Sequence, residues 1–197
     1  MLKSEVIWKE HIDNEVRSYI ERTYKEEVRN HNDRIIGNKN RNCKEENMDA
    51  EVRTMTIEDY DEIYKLWMKI KGFAIRSIDD SRIGVERFLK RNPDTSVVAV
   101  KDGKVVGAIL CGHDGRRGCL YHVCVDPEYR KQGIGTAMVV FAMNALKKEK
   151  ISKVSLIAFT QNDIGNAFWR KIGWTQRLDL NYYDFVLNTE NIIAFNE

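Results

Sequence analysis

What this chain lacks narrows what it can be. Proline occurs only at Pro93 and Pro127, and both read as ends of regular elements. The four cysteines, Cys43, Cys111, Cys119 and Cys124, form no CxxC pair and lack the dense spacing of a disulfide scaffold. Reduced thiols are therefore expected, with no zinc site. No run of eighteen apolar residues exists, and "MLKSEVIWKEHIDNE" is charged throughout, without the apolar stretch of a signal peptide. A cytoplasmic protein with no membrane partner is the expectation. An excess of one charge is missing too: 32 basic residues face 30 acidic ones, for a net charge of +2, which is too even to suggest nucleic acid or anionic lipid as the main partner.

At 197 residues and 43% hydrophobic, the chain suffices for one core and an appendage. The appendage is residues 1–50. From Trp8, the positions Ile12, Val16, Ile20, Tyr24 and Val28 recur every four residues, one apolar face of an amphipathic helix, and "NHNDRIIGNKNRNCKEEN" then reads as a linker. Such a stripe must be covered, by the main domain or by a partner, and a homodimer through this helix is one expectation.

Residues 51–197 form the main domain. "EVRTM" reads as a strand, and Thr56 with Asp59 as a capping box opening a helix that turns Ile63, Leu66, Trp67 and Ile70 inward. A second helix is expected from about Asp80 to Lys90, ended by "RNPD". "SVVAV", Asp102-Gly103 and "KVVGAILCG" spell strand, tight turn, strand. "CLYHVCV" is the next strand, followed by a helix from Ile134 to about Glu149, a strand at "KVSLIAF", a helix from about Asn162 to Lys171, and strands near "WTQRLDL" and "YYDFVL". Hairpins mixed with crossovers predict an α/β (α+β) fold: a mixed, mostly antiparallel sheet of about six or seven strands with helices on both faces.

The segment with most chemical content is "VDPEYRKQGIGTAM", residues 125–138. Gly133 and Gly135 stand at the start of a helix, where glycine costs about 1 kcal/mol against alanine in the helix interior. The first amides of a helix lack internal partners and attract phosphate, and glycine keeps β-carbons out of the way. Arg130 and Lys131 add positive charge beside them. The spacing is neither GxGxxG nor GxxxxGK[ST], so neither the dinucleotide fingerprint nor the P-loop is met.

"RKQGIG" resembles the R/Q-x-x-G-x-G/A motif of the GCN5-related N-acetyltransferase (GNAT) superfamily. "NDIGNAFWRKIGW" downstream resembles its second motif, in the expected order. The resemblance covers roughly Glu51 to Leu187 and looks most like the bacterial YpeA-like branch. It implies a GNAT fold and acetyl-CoA as cosubstrate without a metal, its pyrophosphate on the amides of Lys131, Gln132, Gly133, Ile134, Gly135 and Thr136. Pantetheine would run along the backbone of Val123, Cys124 and Val125, with the Val125 N–H on the thioester carbonyl. Asn162 would either bond pantetheine or cap its own helix. The acetyl group would pass directly to an amine, with no covalent enzyme intermediate.

Two departures bear on catalysis. Many members carry a tyrosine seven residues after the motif asparagine to protonate the CoA thiolate; here Trp169 stands there, read as an aromatic that packs in the core or on pantetheine. Where related ribosomal N-terminus acetylases carry a glutamate base, this chain has Ile157. By the two-residue repeat of a strand, His122 and Cys124 share one face, opposite Tyr121, Val123 and Val125. His122 is the best base candidate, with a buried structural histidine as the other reading; imidazole is the side chain that exchanges protons near neutral pH. Tyr183, Tyr121 and Asp114 are weaker candidates. The segment "KGFAIRSIDDSR" would select the acceptor, Phe73 and Ile75 as an apolar wall, Asp79 or Asp80 attracting an ammonium group, with Asp80 also suited to cap a helix. The acceptor expected is a primary amine of a small molecule or peptide. The alternative is a catalytically weak acyl-CoA-binding module.

Overall fold

A computed structural model describes residues 49–196, so the helix and linker expected over residues 1–48 lie outside the described residues. β1 (Glu51–Thr54) ends where the Thr56 amide donates to Asp59 Oδ2 at 2.9 Å, the capping box read from the sequence. Helix α1 (Tyr60–Lys69) follows and buries Ile63, Leu66 and Trp67. After β2 (Ala74–Arg76), α2 (Arg82–Arg91) begins two residues later than expected. The reason is its cap: Ser81 Oγ, not Asp80, accepts from the Gly84 amide at 3.1 Å.

β3 (Val97–Lys101) and β4 (Lys104–His113) are joined through Asp102 and Gly103, whose φ values of 51° and 72° are the two positive angles a two-residue hairpin turn demands. β5 (Gly118–Val125) returns from a turn held by Asp114, whose Oδ1 accepts from the Arg116 and Arg117 amides at 2.7 Å each. Those two amides, Arg117's first, hold the Asp114 carboxyl below its usual range. Asp114 thus holds this turn. Helix α3 (Ile134–Lys148), β6 (Val154–Leu156), α4 (Asp163–Lys171) and β7 (Ile193–Phe195) complete the described elements.

Five strands form a mixed sheet in the order β1-β3-β4-β5-β6, antiparallel except for the parallel pair β5 and β6; β2 and β7 form a separate antiparallel pair. The expected strands at "WTQRLDL" and "YYDFVL" are not formed, and Leu178, Tyr183 and Phe185 are each more than four-fifths exposed. Their apolar alternation was a real signal, but a strand also needs a partner edge, and β2 is paired with Ile193–Phe195 instead.

β4 alternates between two covered faces. Ala108 and Leu110 join Val98, Cys124 and the side chains of α1 in one buried cluster, whereas Gly107 faces Met138 of α3. Residues 49–168 and 176–196 belong to one compact unit; Trp169–Thr175 falls in another and is described by itself. In that short segment the rings of Trp169 and Trp174 lie 4.9 Å apart, and the Trp174 amide donates to the Trp169 carbonyl at 3.0 Å.

β1 is clipped to the start of α1 by an ion pair: Arg53 Nη1 and Nη2 donate to the two oxygens of Asp59 at 2.8 and 2.6 Å. Burial pushes the Asp59 carboxyl up, but Arg53 and the Thr56 amide outweigh it and leave the group below its usual range. A carboxylate with a depressed native pKa stabilises above its unfolded value, about pH 4, and loses that contribution as the pH falls through the native one. Asp59→Asn is accordingly expected to cost about 1–2 kcal/mol in urea denaturation at pH 7. The gap to wild type should narrow below about pH 4; a gap constant down to acid denaturation would remove this pair from the account.

Candidate active site

The parallel pair is short. β5 and β6 pair at Gly118–Val154, Cys119–Ser155 and Leu120–Leu156, and β6 then ends, leaving the edge of β5 from Tyr121 to Val125 open on that side. The Asp126 amide donates to the Val106 carbonyl of β4 at 2.8 Å. By the alternation of an antiparallel ladder, the Val125 N–H and C=O point the other way, toward the open side. The carbonyl is taken by Arg130 Nε at 3.1 Å, so Arg130 is tied to the strand rather than free beside the helix. The Val125 amide is where sequence reasoning sought a thioester ligand.

Beyond β5 the chain is held by Asp126, which is nearly buried, accepts from the Glu128 amide at 3.1 Å, and receives Lys69 Nζ of α1 at 2.8 and 3.0 Å. Lys131 and Gly133 then take positive φ, 62° and 82°, and α3 starts. Its first internal bond runs from the Ala137 amide to the Gly133 carbonyl, and no side chain caps the end. The amides of Ile134, Gly135 and Thr136 are therefore without helical partners, beside exposed Lys131, Gln132, Gly133 and Thr136. The Ile134 side chain is buried.

The two glycines are required for different reasons. Gly133 occupies a left-handed conformation that side chains resist. Gly135 is helical, and a β-carbon there would stand 3.4 Å from the Phe168 ring and 3.6 Å from Val125 Cγ2. That is ordinary contact, so at Gly135 steric relief for a ligand is a weaker explanation than the sequence suggested.

Asn162, for which two roles were open, caps its own helix: Oδ1 accepts from the Gly165 amide at 2.9 Å. Asn166, which sequence reasoning missed, donates to the Phe159 carbonyl at 2.9 Å and fixes the preceding turn.

On the other side of β5 the structure corrects the expected faces. Leu110 pairs with Tyr121 and Ala108 with Cys124, so His122 and Val123 together oppose Ile109 alone. His122 is the bulged residue, with φ of 48°. The two-residue repeat breaks there, and Tyr121 faces the same way as His122 and Cys124: its ring meets Phe88 of α2 at 5.9 Å, while His122 meets Trp67 at 4.7 Å and Phe73 at 4.9 Å. Cys124 lies in the core with its thiol pushed up to about 12 by burial, and by the same alternation its backbone N–H and C=O turn to Ala108 of β4, away from the open edge where a pantetheine contact was expected. Burial, reinforced by the neighbouring Cys119, pushes the Tyr121 phenol up to about 12 as well.

His122 Nε2 sits 2.6 Å from Oδ1 of Asp80. Asp80 is 4% exposed and its Oδ2 accepts from the Arg76 amide at 2.6 Å. It is turned inward, neither capping α2 nor facing solvent as an ammonium trap would. Asp79 is bound by Asn191 Nδ2 at 2.7 Å. The Phe73 ring packs against His122 and the edge of the core cluster, whereas Ile75 belongs to the core itself. Tyr183 is 84% exposed, and Ile157 is exposed where a glutamate base was sought. Among the described residues no three His, Cys, Asp or Glu side chains gather as a metal ion would need, and no helix is long and apolar enough to cross a membrane.

An open strand edge facing the uncapped start of a helix, within a mixed sheet covered on both faces, is the architecture of an acetyl-CoA-dependent acyltransferase. The model of the acetyltransferase (GNAT) family matches residues 59–174, and the chain belongs to that family. An acetyltransferase of Sodalis glossinidius is 32% identical over 122 residues, which span 62% of this chain and 84% of the relative. One from Pectobacterium atrosepticum is 29% identical over 147 residues, 75% of this chain and 99% of the relative. Among solved structures, PaiA N-acetyltransferase from Thermoplasma acidophilum in complex with coenzyme A shares the fold with a TM-score of 0.56, at 20% identity, covering 63% of this chain and 88% of that one. An aminoglycoside acetyltransferase from an uncultured soil metagenomic sample in complex with trehalose gives 0.57 at 19% identity, covering 71% and 97%.

The contrast between the glycines is measurable. Gly133→Ala is expected to lose about 1–2 kcal/mol in urea denaturation, because alanine must adopt a left-handed backbone. Gly135→Ala is expected to hold or gain stability by up to about 1 kcal/mol, since alanine suits a helix interior and meets Phe168 at contact distance. Equal losses at the two sites would reject this division.

Proposed function

We propose that this protein transfers the acetyl group of acetyl-CoA directly to a primary amine of a small molecule or peptide. Acetyl transfer follows from the family; the amine acceptor and the residue roles are our reading. In it, the open edge of β5 takes pantetheine through the backbone of Val123 and Val125, the amides from Lys131 to Thr136 take the pyrophosphate, and the Val125 N–H takes the thioester oxygen. That last contact strengthens as the carbonyl oxygen gains charge in the transition state, which is what accelerates acyl transfer.

The observation that carries the amine is His122, whose side chain is 15% exposed, backed by aromatic rings and a buried carboxylate. An alkylammonium with an ordinary pKa of about 10.4 must lose a proton before its nitrogen can attack, and aromatic faces tolerate the cation while it waits. The alternative, an acyl-CoA-binding module with little turnover, draws on Trp169 standing where a tyrosine acid is common.

Isothermal titration with acetyl-CoA tests the donor site. Thr136→Glu, at an exposed helix position, sets a carboxylate against the amide cluster and is expected to weaken binding by roughly tenfold or more, about 1.4 kcal/mol. Unaltered affinity would reject the pyrophosphate assignment. Release of CoA thiol in the presence of a polyamine, an amino acid, an aminated antibiotic or a peptide tests transfer, and binding without release from any of them would favour the module.

A further inference from the structure

We infer that Asp80 is the positioning residue for His122: it fixes the imidazole tautomer so that Nδ1 carries the lone pair that takes the proton of the acceptor ammonium. The inference rests on the acetyl-to-amine reading above and adds to it a residue outside the cofactor site.

The geometry leaves Asp80 little choice. Its Oδ2 accepts from the Arg76 amide at 2.6 Å, and its Oδ1 faces His122 Nε2 at 2.6 Å, with 4% of the residue exposed. An ionised carboxylate only accepts hydrogen bonds, so Nε2 must carry the hydrogen, which leaves Nδ1 as the basic nitrogen. The imidazole packs against both the Trp67 and Phe73 rings, which themselves lie 6.4 Å apart, and its residue takes a left-handed backbone at the bulge, strain of a kind that clusters at functional sites. The acid is supplied from the acceptor segment and the base from β5, forty-two residues apart in the chain.

The proton count closes. The acceptor ammonium gives one proton to Nδ1, and the freed nitrogen attacks the thioester carbonyl carbon. As the carbon–sulfur bond breaks, its electron pair leaves on the CoA sulfur, and the second proton shed by nitrogen ends on that thiolate. The Nδ1 proton then passes to solvent. Asp80 accepts a hydrogen bond throughout and neither gains nor loses a proton.

The discriminating variant is Asp80→Asn. The Arg76 amide continues to donate, which orients the carboxamide oxygen toward it and turns the NH2 toward Nε2. That NH2 needs an acceptor, so the ring proton moves to Nδ1 and the base is lost. Long-range ¹H–¹⁵N NMR, with the His122 signals identified by their absence in His122→Ala, is expected to find the proton on Nε2 in the wild type and on Nδ1 in Asp80→Asn. With spermidine, kanamycin or a glycine-initiated peptide as acceptor, thiol release is expected to fall roughly 10²–10⁴-fold in Asp80→Asn, the range of general-base catalysis, with the KM for acetyl-CoA unchanged. In a His122→Ala background the same substitution should cost less than twofold, which a merely structural role would not produce.

A wild-type proton on Nδ1 overturns the inference and needs no variant that folds. Unchanged turnover in an Asp80→Asn protein that still binds acetyl-CoA overturns it too, and leaves the transfer reading intact. Acetyl-CoA binding with no thiol release from any of the three amines defeats the transfer reading, and this role with it.

Discussion

Where β5 passes Ile109, two of its residues stand against one, and His122 takes a left-handed backbone to make room. Most of the site's arrangement depends on that extra residue. Without it, strand alternation would send Tyr121 and His122 to opposite faces; with it, both look toward α1 and α2 while the Val125 amide looks toward the open edge. One strand then turns side chains to the helices on one face and a free amide to its open edge. The local twist a bulge adds also suits the parting of β5 from β6 after only three paired residues.

Three buried or nearly buried aspartates hold the surrounding elements in place, each by a different partner. Asp59 ties β1 to α1 through Arg53, Asp126 ties the end of β5 to α1 through Lys69, and Asp80 ties the segment between β2 and α2 to β5 through His122. Arginine and lysine remain charged through the neutral range, so the first two ties are constant there. The third has a partner of a type that exchanges protons under the same conditions, which sets this tie apart from the other two.

Local patterns in the sequence were legible wherever the interaction was local. The Thr56–Asp59 box, the Asp102-Gly103 turn and the glycine-led start of α3 involve residues a few positions apart, and the structure contains all three. The Asn162 cap is of the same kind, and the two-motif resemblance led to the right family. Long-range pairing was not legible. Nothing near residues 178–187 signals that the edge they would join is unavailable, and nothing in "YHVCV" signals an extra residue, because a bulge is set by register against β4. Asp80 was misjudged for a related reason: "DDS" offers two capping candidates to local reasoning, and only packing decides that Ser81 caps and Asp80 turns inward.

β7 pairs with β2 at one end of the acceptor segment, Asn191 accepts from the Ile78 amide further along it, and Asn196 donates to the carbonyls of Trp67 and Ile70 at the end of α1. The last of these contacts spans 126 residues of chain, so it joins the end of the described residues to the end of α1. The donor half is built from contacts far shorter in sequence. Were the tail to peel away, the β5 edge and the start of α3 would keep their own contacts while residues 72–79 lost theirs to the tail. The two regions differ in what holds them, and the tail secures only one.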